Sequence, residues 1–384
     1  MKVGIIGAGA MGSGIAQVAA TAGCKVMLFD TNPDALVKSQ SKLAKIMVRL
    51  VEKGRLNQQE TDAIQAAITY VKELEAFASC DIVIEAIIEN LSIKKQVFTT
   101  IESIISDSCI IASNTSSLSI ASIAAALKKP ERCIGIHFFN PAPLMKLVEI
   151  IPAIQTHPTT TLMAQEIIDH WGKLTVLVKD TPGFIVNKVA RPFYGESLRI
   201  YEEGIADFAT IDWAMKTIGG FRMGPFELMD FLGNDINYTV TETVFKAFYY
   251  DPRYKPAFTQ KRLAEAGYLG RKTGKGYYDY SENAIRPIAT ENTILGQKIV
   301  NRVVAMLINE AADTLHFGIA NKEAIDTAMT KGVNYPKGLL AWADDIGIGE
   351  CVQRIDRLYD FYREDRYRCC PLLRKMEEKG ETFF

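Results

Sequence analysis

No run of apolar residues in this sequence is long enough to span a membrane, and no two of its seven cysteines form a C-x-x-C pair. The first absence sets aside a transmembrane protein. The second leaves thiols that sit largely in apolar, strand-like stretches, where a free cysteine behaves as a small hydrophobe. A reducing compartment suits them, and the adjacent Cys369 and Cys370 are expected to be free rather than joined in a strained vicinal bridge. Bulk charge is missing as well, since 44 Lys and Arg against 45 Asp and Glu give a formal net charge of −1. That balance draws the chain neither to nucleic acid nor to a membrane surface, although a local basic patch for an acidic substrate is compatible with it. Histidine is scarce, at four residues, and no metal is expected. A strand-like segment begins at Met1 and leaves no room for a signal or transit peptide, so a cytoplasmic protein is expected.

What the chain does have is length and an ordinary globular composition. Its 384 residues, 48% hydrophobic and 23% charged, are enough for two or three domains with a buried core. The first thirty residues, MKVGIIGAGAMGSGIAQVAATAGCKVMLFD, organise the rest. Residues 1–6 read as a buried strand, 13–22 as an amphipathic helix and 25–29 as a second strand ending on Asp30. Between the first strand and the helix lies the turn Gly7-Ala8-Gly9-Ala10-Met11-Gly12, a G-x-G-x-x-G fingerprint. Gly7 permits the tight turn, Gly9 lets a pyrophosphate approach the backbone, and Gly12 lets the helix pack close to the sheet. The helix N-terminus offers free N–H groups and a positive dipole end to the phosphates. Asp30, 18 residues after Gly12, stands where a carboxylate would bind ribose hydroxyls. Thr31, Asn32 and Pro33 follow it and no arginine does. This argues for NAD over NADP, whose 2′-phosphate would meet like charge. A purely structural glycine turn is the alternative.

Downstream, a long Lys- and Arg-rich helix is expected over 34–54 and a shorter one over 58–68. Strand signals at 82–85, 109–113, 133–137 and 144–151 then alternate with helical patterns such as 91–105 and 119–127, and 159–171 and 174–178 read as a last helix and strand. Such alternation predicts an α/β fold with a mostly parallel, doubly wound sheet. Asp180-Thr-Pro-Gly183 is a turn-rich boundary, and the chain beyond it reads as helical. That helical part repeats itself. Val186-Asn-Lys-Val-Ala190 matches Val300-Asn-Arg-Val-Val304, Gly204-Ile-Ala206 matches Gly318-Ile-Ala320, and Ile211-Asp212 matches Ile325-Asp326, all at an offset of 114 residues. The expected domains are therefore 1–181, nucleotide-binding; 182–290, a helical module; and 291–384, its second copy.

Of the four histidines only His137 falls where this fold expects chemistry, at the carboxyl end of a strand. Twelve residues on, Glu149 sits among the apolar residues Leu147-Val-Glu-Ile-Ile151 and needs a partner, because an unpaired buried carboxylate is costly. A histidine that takes a proton and a carboxylate that orients it form a general-base pair. His157, His170 and His316 read as surface or satisfied residues. The polar turn Ala112-Ser-Asn-Thr-Ser-Ser117 reads equally as a site loop or as the cap of the next helix. Asn187, early in the long helix after Gly183, reads as solvent-facing, and Glu85 and Glu89 with Lys94 as a solvated helix start or the lip of a cofactor cleft.

GAGAMGSGIA, VIEAIIEN, SNTSSL, GIHFFNPAPLMKLVEI and TPGFIVNKV, in this order and spacing, resemble the short-chain L-3-hydroxyacyl-CoA dehydrogenase family, over residues 1 to about 280. The resemblance implies a Rossmann-type domain followed by an all-α region, with His137 the catalytic base and Glu149 its partner. It further implies that Ser116 and Asn187 bind the substrate oxygen or the cofactor near the reacting carbon. Asp30, Glu89, Lys94, Ser116, Asn140 and Lys272 would contact NAD, and Lys53 the coenzyme A phosphates. The substrate would be a 3-hydroxyacyl-CoA lying in a cleft between the two parts, a short-chain one such as 3-hydroxybutyryl-CoA. The extra copy, 291–384, departs from the simplest pattern: it keeps Asn301 at the place of Asn187 but has no His/Glu pair. It is expected to pack on the first copy as a partner subunit would, giving a monomer where single-copy relatives dimerise, with a homodimer as the alternative. Lambda-crystallin-like gulonate 3-dehydrogenases, which take a free sugar acid, share much of the pattern, and a catalytically silent NAD-binding protein is the reading from another class.

Overall fold

Strand and helix alternate as expected from the sequence, and they build one eight-stranded sheet. The computed structural model describes residues 1–384. They divide into two compact units, Met1–Phe184 and Ile185–Phe384. In the first unit the strands are β1 (Lys2–Ile6), β2 (Lys25–Phe29), β3 (Ile68–Val71), β4 (Ile82–Glu85), β5 (Ile110–Ser113), β6 (Cys133–Phe138), β7 (Leu147–Pro152) and β8 (Leu174–Leu177). Their spatial order is β3-β2-β1-β4-β5-β6-β7-β8. Neighbours are parallel except for β6 and β7, which run antiparallel. The order reverses on either side of β1, with β2 on one flank and β4 on the other, so this is where a doubly wound sheet opens a crevice at the strands' carboxyl ends.

Helices α1 (Ala10–Thr21), α2 (Pro33–Glu52), α3 (Gln58–Ala66), α4 (Leu91–Glu102), α5 (Ile120–Ala124) and α6 (Pro158–His170) connect the strands. Their starts are set by short polar caps. Asn32 accepts from the Asp34 N–H, Asn57 and Glu60 form a reciprocal capping box, and Asn90 accepts from the Ile93 N–H. Strand β3 corrects the expectation of a helix running to residue 68. It is a four-residue edge strand in which only Ile68 is buried, so it carries too little apolar alternation to be read from sequence. Likewise β7 begins at Leu147, and Leu144, expected in the strand, is 71% exposed in the preceding turn. All seven cysteines are free and buried. No helix is long and apolar enough to cross a membrane.

The second unit is helical, and its two halves match at the 114-residue offset. A π-helical turn spans Ala214–Ile218 and another Ala328–Gly332. Before each, an aspartate accepts two backbone N–H groups of the following helix: the buried Asp212 from Phe226 and Glu227, the half-buried Asp326 from Leu340 and Ala341. Burial raises both carboxyls, Asp212 to about 7. One difference overturns an expectation. The helix carrying Asn187 is not long but broken at Ala190 into Val186–Val189 and Arg191–Glu202, whereas its counterpart runs unbroken over Thr293–His316. Pro192 explains the break, since it removes a helical N–H and crowds the carbonyl one turn back; the same place in the second half holds Met306.

The halves meet through two mirrored charge clusters. Lys188 of the first half is hydrogen-bonded to Glu310 of the second, and Arg302 of the second, at the place of Lys188, donates to Glu196 of the first at 3.0 Å. Glu196 and Glu310 are themselves 114 residues apart. Each carboxylate also takes a Tyr hydroxyl and an Arg from a short turn. Tyr254 and Arg253 serve Glu310, while Tyr367, at 3.0 Å, and Arg366, at 2.7 Å, serve Glu196. Burial opposes ionisation of Glu196, but Arg366 and Arg302 outweigh it and hold its carboxyl below the usual range.

Candidate active site

The turn Gly7–Gly12 joins β1 to α1, and backbone geometry explains its composition. Gly7 has φ +106°, a region closed to most side chains, and its N–H donates to the Phe29 carbonyl at 2.8 Å. A Cβ on Gly12 would lie 1.8 Å from the Gly7 carbonyl oxygen, so the helix sits against the turn at a distance only glycine allows. Above Gly9 nothing lies within 4 Å of where a Cβ would be. The start of α1, capped by no side chain, therefore faces an open cradle that suits a pyrophosphate. Asp30 closes the turn from β2. One carboxylate oxygen accepts the Ala8 N–H at 2.7 Å, the other the Asn32 N–H at 2.8 Å, and a carboxylate retains lone pairs for ribose hydroxyls. These residues fit a dinucleotide. Gly12→Ala is expected to weaken NAD about ten- to hundredfold, the equivalent of an overpacking strain of about 1–3 kcal/mol. Fluorescence titration measures it, with circular dichroism as the check on folding.

Beside β1, the carboxyl ends of β4 and β5 carry a buried polar cluster. Glu85 and Lys94 are each 1% exposed, with Lys94 Nζ 2.6 Å from Glu85 Oε1 and 3.3 Å from Glu89 Oε2. Glu85 is thus not the solvated residue that the sequence allowed. Glu89, about a third exposed, accepts the Thr115 hydroxyl at 2.6 Å, the Ser117 hydroxyl at 3.0 Å and the N–H groups of Ser116 and Ser117. Burial works against its ionisation, but Lys94 and these donors prevail and its carboxyl is lowered. The polar turn is therefore more than a helix cap, because Glu89 holds Ser116 by its backbone. Asn114 Oδ1 accepts the Phe138 N–H at 2.8 Å, tying this turn to the strand of His137.

On β6 and β7 the antiparallel register sets His137 directly opposite Glu149. The imidazole Nδ1 lies 2.7 Å from Glu149 Oε2, with His137 6% and Glu149 0% exposed. The rings of Phe139 and Phe184 lie with centroids 4.5 and 5.7 Å from the imidazole. A carboxylate on Nδ1 keeps the proton there and leaves Nε2 with the lone pair that a base needs.

The other expected residues are spread over both units. Asn140 is exposed just after β6, and Lys53 is exposed at the end of α2. Asn187 and Lys272 belong to the second unit. Asn187 is half-buried in the short helix before Ala190, and Lys272 is paired with Asp235 at 2.6 Å. His157 caps α6 by accepting the Thr159 N–H, and His170 and His316 end helices. Sequence reasoning left Glu85 open between a solvated helix start and the lip of a cofactor cleft, and it did not single out Asn114, whose partner Phe138 lies on the neighbouring strand β6. It also missed Asp180, which accepts the Ile120 and Ala121 N–H groups at the start of α5.

A model of the 3-hydroxyacyl-CoA dehydrogenase NAD binding domain matches residues 2–181, and one of the 3-hydroxyacyl-CoA dehydrogenase C-terminal domain matches 183–280 and again 299–382. The chain is 35% identical to a 3-hydroxyadipyl-CoA dehydrogenase of Escherichia coli K12, over 97% of this chain and 96% of that one. It is 38% identical to a 3-hydroxybutyryl-CoA dehydrogenase of Bradyrhizobium diazoefficiens, over 75% of this chain and 98% of that one. Among solved structures, that of a 3-hydroxybutyryl-CoA dehydrogenase from Escherichia coli K12 matches with a TM-score of 0.93 at 34% identity, covering 99% of this chain and 98% of that one.

Proposed function

The chain belongs to the 3-hydroxyacyl-CoA dehydrogenase family, and from that premise we propose that it reversibly oxidises a short-chain L-3-hydroxyacyl-CoA to the 3-ketoacyl-CoA. The observation that carries this reading is the His137–Glu149 pair at 2.7 Å, on a strand end of the sheet that also bears the glycine turn. NAD, when bound, supplies the hydride acceptor. Held by Glu149 at Nδ1, His137 takes the 3-hydroxyl proton at Nε2 and returns it in the reverse direction. Gly7, Ala8, Gly9, Ala10, Met11, Gly12 and Asp30 would hold the cofactor, with Glu89, Lys94, Asn140 and Lys272 as further contacts; Lys94, being buried, would act through Glu89. Ser116 and Asn187 would orient the substrate oxygen, and Lys53 would meet the coenzyme A phosphates.

The test is NADH formation on a panel of thioesters, from 3-hydroxybutyryl-CoA to long-chain and dicarboxylic members such as 3-hydroxyadipyl-CoA, against free hydroxy acids including gulonate. Turnover of thioesters alone supports the reading. Turnover of gulonate alone moves the chain to the sugar-acid enzymes.

Residues 182–290 and 291–384 are, in this reading, two copies of one module, and the mirrored Lys188–Glu310 and Arg302–Glu196 pairs support it. A two-fold homodimer interface makes the same exchange between identical surfaces. With that exchange made within one chain, a monomer is expected. Light scattering coupled to gel filtration checks this, and a stable dimer at micromolar concentration contradicts it. Seven buried thiols suit the reducing cytoplasm.

A further inference from the structure

Glu85 is a buried carboxylate with no part in the chemistry proposed above. Its Oε1 accepts Lys94 Nζ at 2.6 Å and the Ile87 N–H at 2.7 Å, and its Oε2 accepts the Ser113 hydroxyl at 2.7 Å. From there the bonds close on themselves. Ser113 Oγ accepts the Thr115 N–H at 3.2 Å, Thr115 Oγ1 donates to Glu89 at 2.6 Å, and Glu89 lies 3.3 Å from the same Lys94 ammonium. Glu85, Lys94, Ser113 and Thr115 are all at most 2% exposed.

One carboxylate and one ammonium at this depth, Glu85 and Lys94, carry a desolvation cost that apolar side chains of similar volume would avoid, often with no loss of stability. Apolar residues would not, however, fix the direction of Glu89. That direction matters, because Glu89 grips the backbone of Ser116 and Ser117 while Asn114 of the same turn holds the Phe138 N–H beside His137. We propose that Glu85 is a positioning residue: through Lys94 and Ser113 it aims Glu89, and so sets Ser116 against the His137 strand. The inference rests on the dehydrogenase reading for its kinetic arm alone.

The experiment is a double-mutant cycle of Glu85→Gln with Ser116→Ala in the full chain, read as kcat and KM. Backbone amide exchange at Ser116 and Ser117 is followed in the same proteins. Glu85→Gln is expected to lower kcat about tenfold through misplacement of Ser116, with KM for the thioester changed less than about twofold. In the Ser116→Ala background it should cost less than about twofold. The two amides should exchange about tenfold faster or more. Ser113→Ala, which removes one bond to Glu85 without orphaning a charge, should move both readouts the same way by a smaller factor, and carries the test if Glu85→Gln does not fold. Equal losses with and without Ser116, or unchanged exchange at these amides, would overturn the proposal. A wild-type chain with no turnover on any thioester would overturn the function instead, and the exchange arm would still decide the role of Glu85.

Discussion

His137→Gln is expected to lose about 10²- to 10⁴-fold in kcat, the range that general-base assistance supplies, while NAD binds nearly as before. The two readouts separate because the imidazole and the nucleotide cradle are built independently. His137 stands on β6 with its Nδ1 on Glu149, whereas the cradle is the turn between β1 and α1 closed by Asp30. Glutamine approximates the volume of the imidazole but has no nitrogen able to take a proton near neutral pH. Glu149→Gln should be slow for a related reason. A neutral amide can present its NH₂ to Nδ1, which drives the ring proton to Nε2 and removes the lone pair that faces the substrate. A tautomer error of this kind costs a loss of about 10⁴ in a serine protease triad. Stopped-flow turnover of both variants, with NAD affinity measured alongside, tests the pair. Near-normal turnover in His137→Gln would remove the base assignment, and an unaltered pH–rate profile in Glu149→Gln would remove its partner.

The sequence made this pair legible because each member broke a local rule. Glu149 is an acid within a strand of apolar residues, and His137 ends a strand where a doubly wound sheet binds ligands. Antiparallel pairing of adjacent strands then had one simple way to bring them opposite each other. The glycine turn was legible for a similar reason, since Gly7, Gly9 and Gly12 answer three distinct steric demands within six residues. The hidden features depend on strand neighbours that sequence order does not reveal. Glu85 reads equally as a solvated helix start or the lip of a cofactor cleft, because its partner Ser113, on the neighbouring strand, lies 28 residues away. Strand β3 was hidden by shortness. The break at Ala190 is visible in principle, because Pro192 stands in the sequence two residues beyond it. Lys188 and Glu310 are 122 residues apart, beyond any local pattern. Even so, the repeat held their signature: offset by 114, Lys188 falls on Arg302 and Glu196 on Glu310, so both copies keep one cation and one anion at matching places.

That exchange predicts the largest stability effect in the second unit. Glu310→Ala should cost about 3–5 kcal/mol, the penalty of leaving a buried charge without its partner. Lys188 is 0% and Glu310 1% exposed, so water cannot replace the lost carboxylate without opening the contact between the two halves. Arg253 keeps Asp251 and Asp313, and Lys188 keeps Asp313 at 3.0 Å, which places the expected cost toward the lower end of that range. Glu196→Ala should do at least as much damage, because Arg302 and Arg366 both rest on that one carboxylate at 3.0 and 2.7 Å. The double replacement Lys188→Met with Glu310→Met should recover more than half of the loss. It removes both charges together and refills the space with apolar atoms, a change that is often neutral for buried pairs. Urea unfolding followed by circular dichroism gives the three values. If Glu310→Ala costs less than about 1 kcal/mol, as a solvated surface pair would, then these carboxylates do not join the two halves.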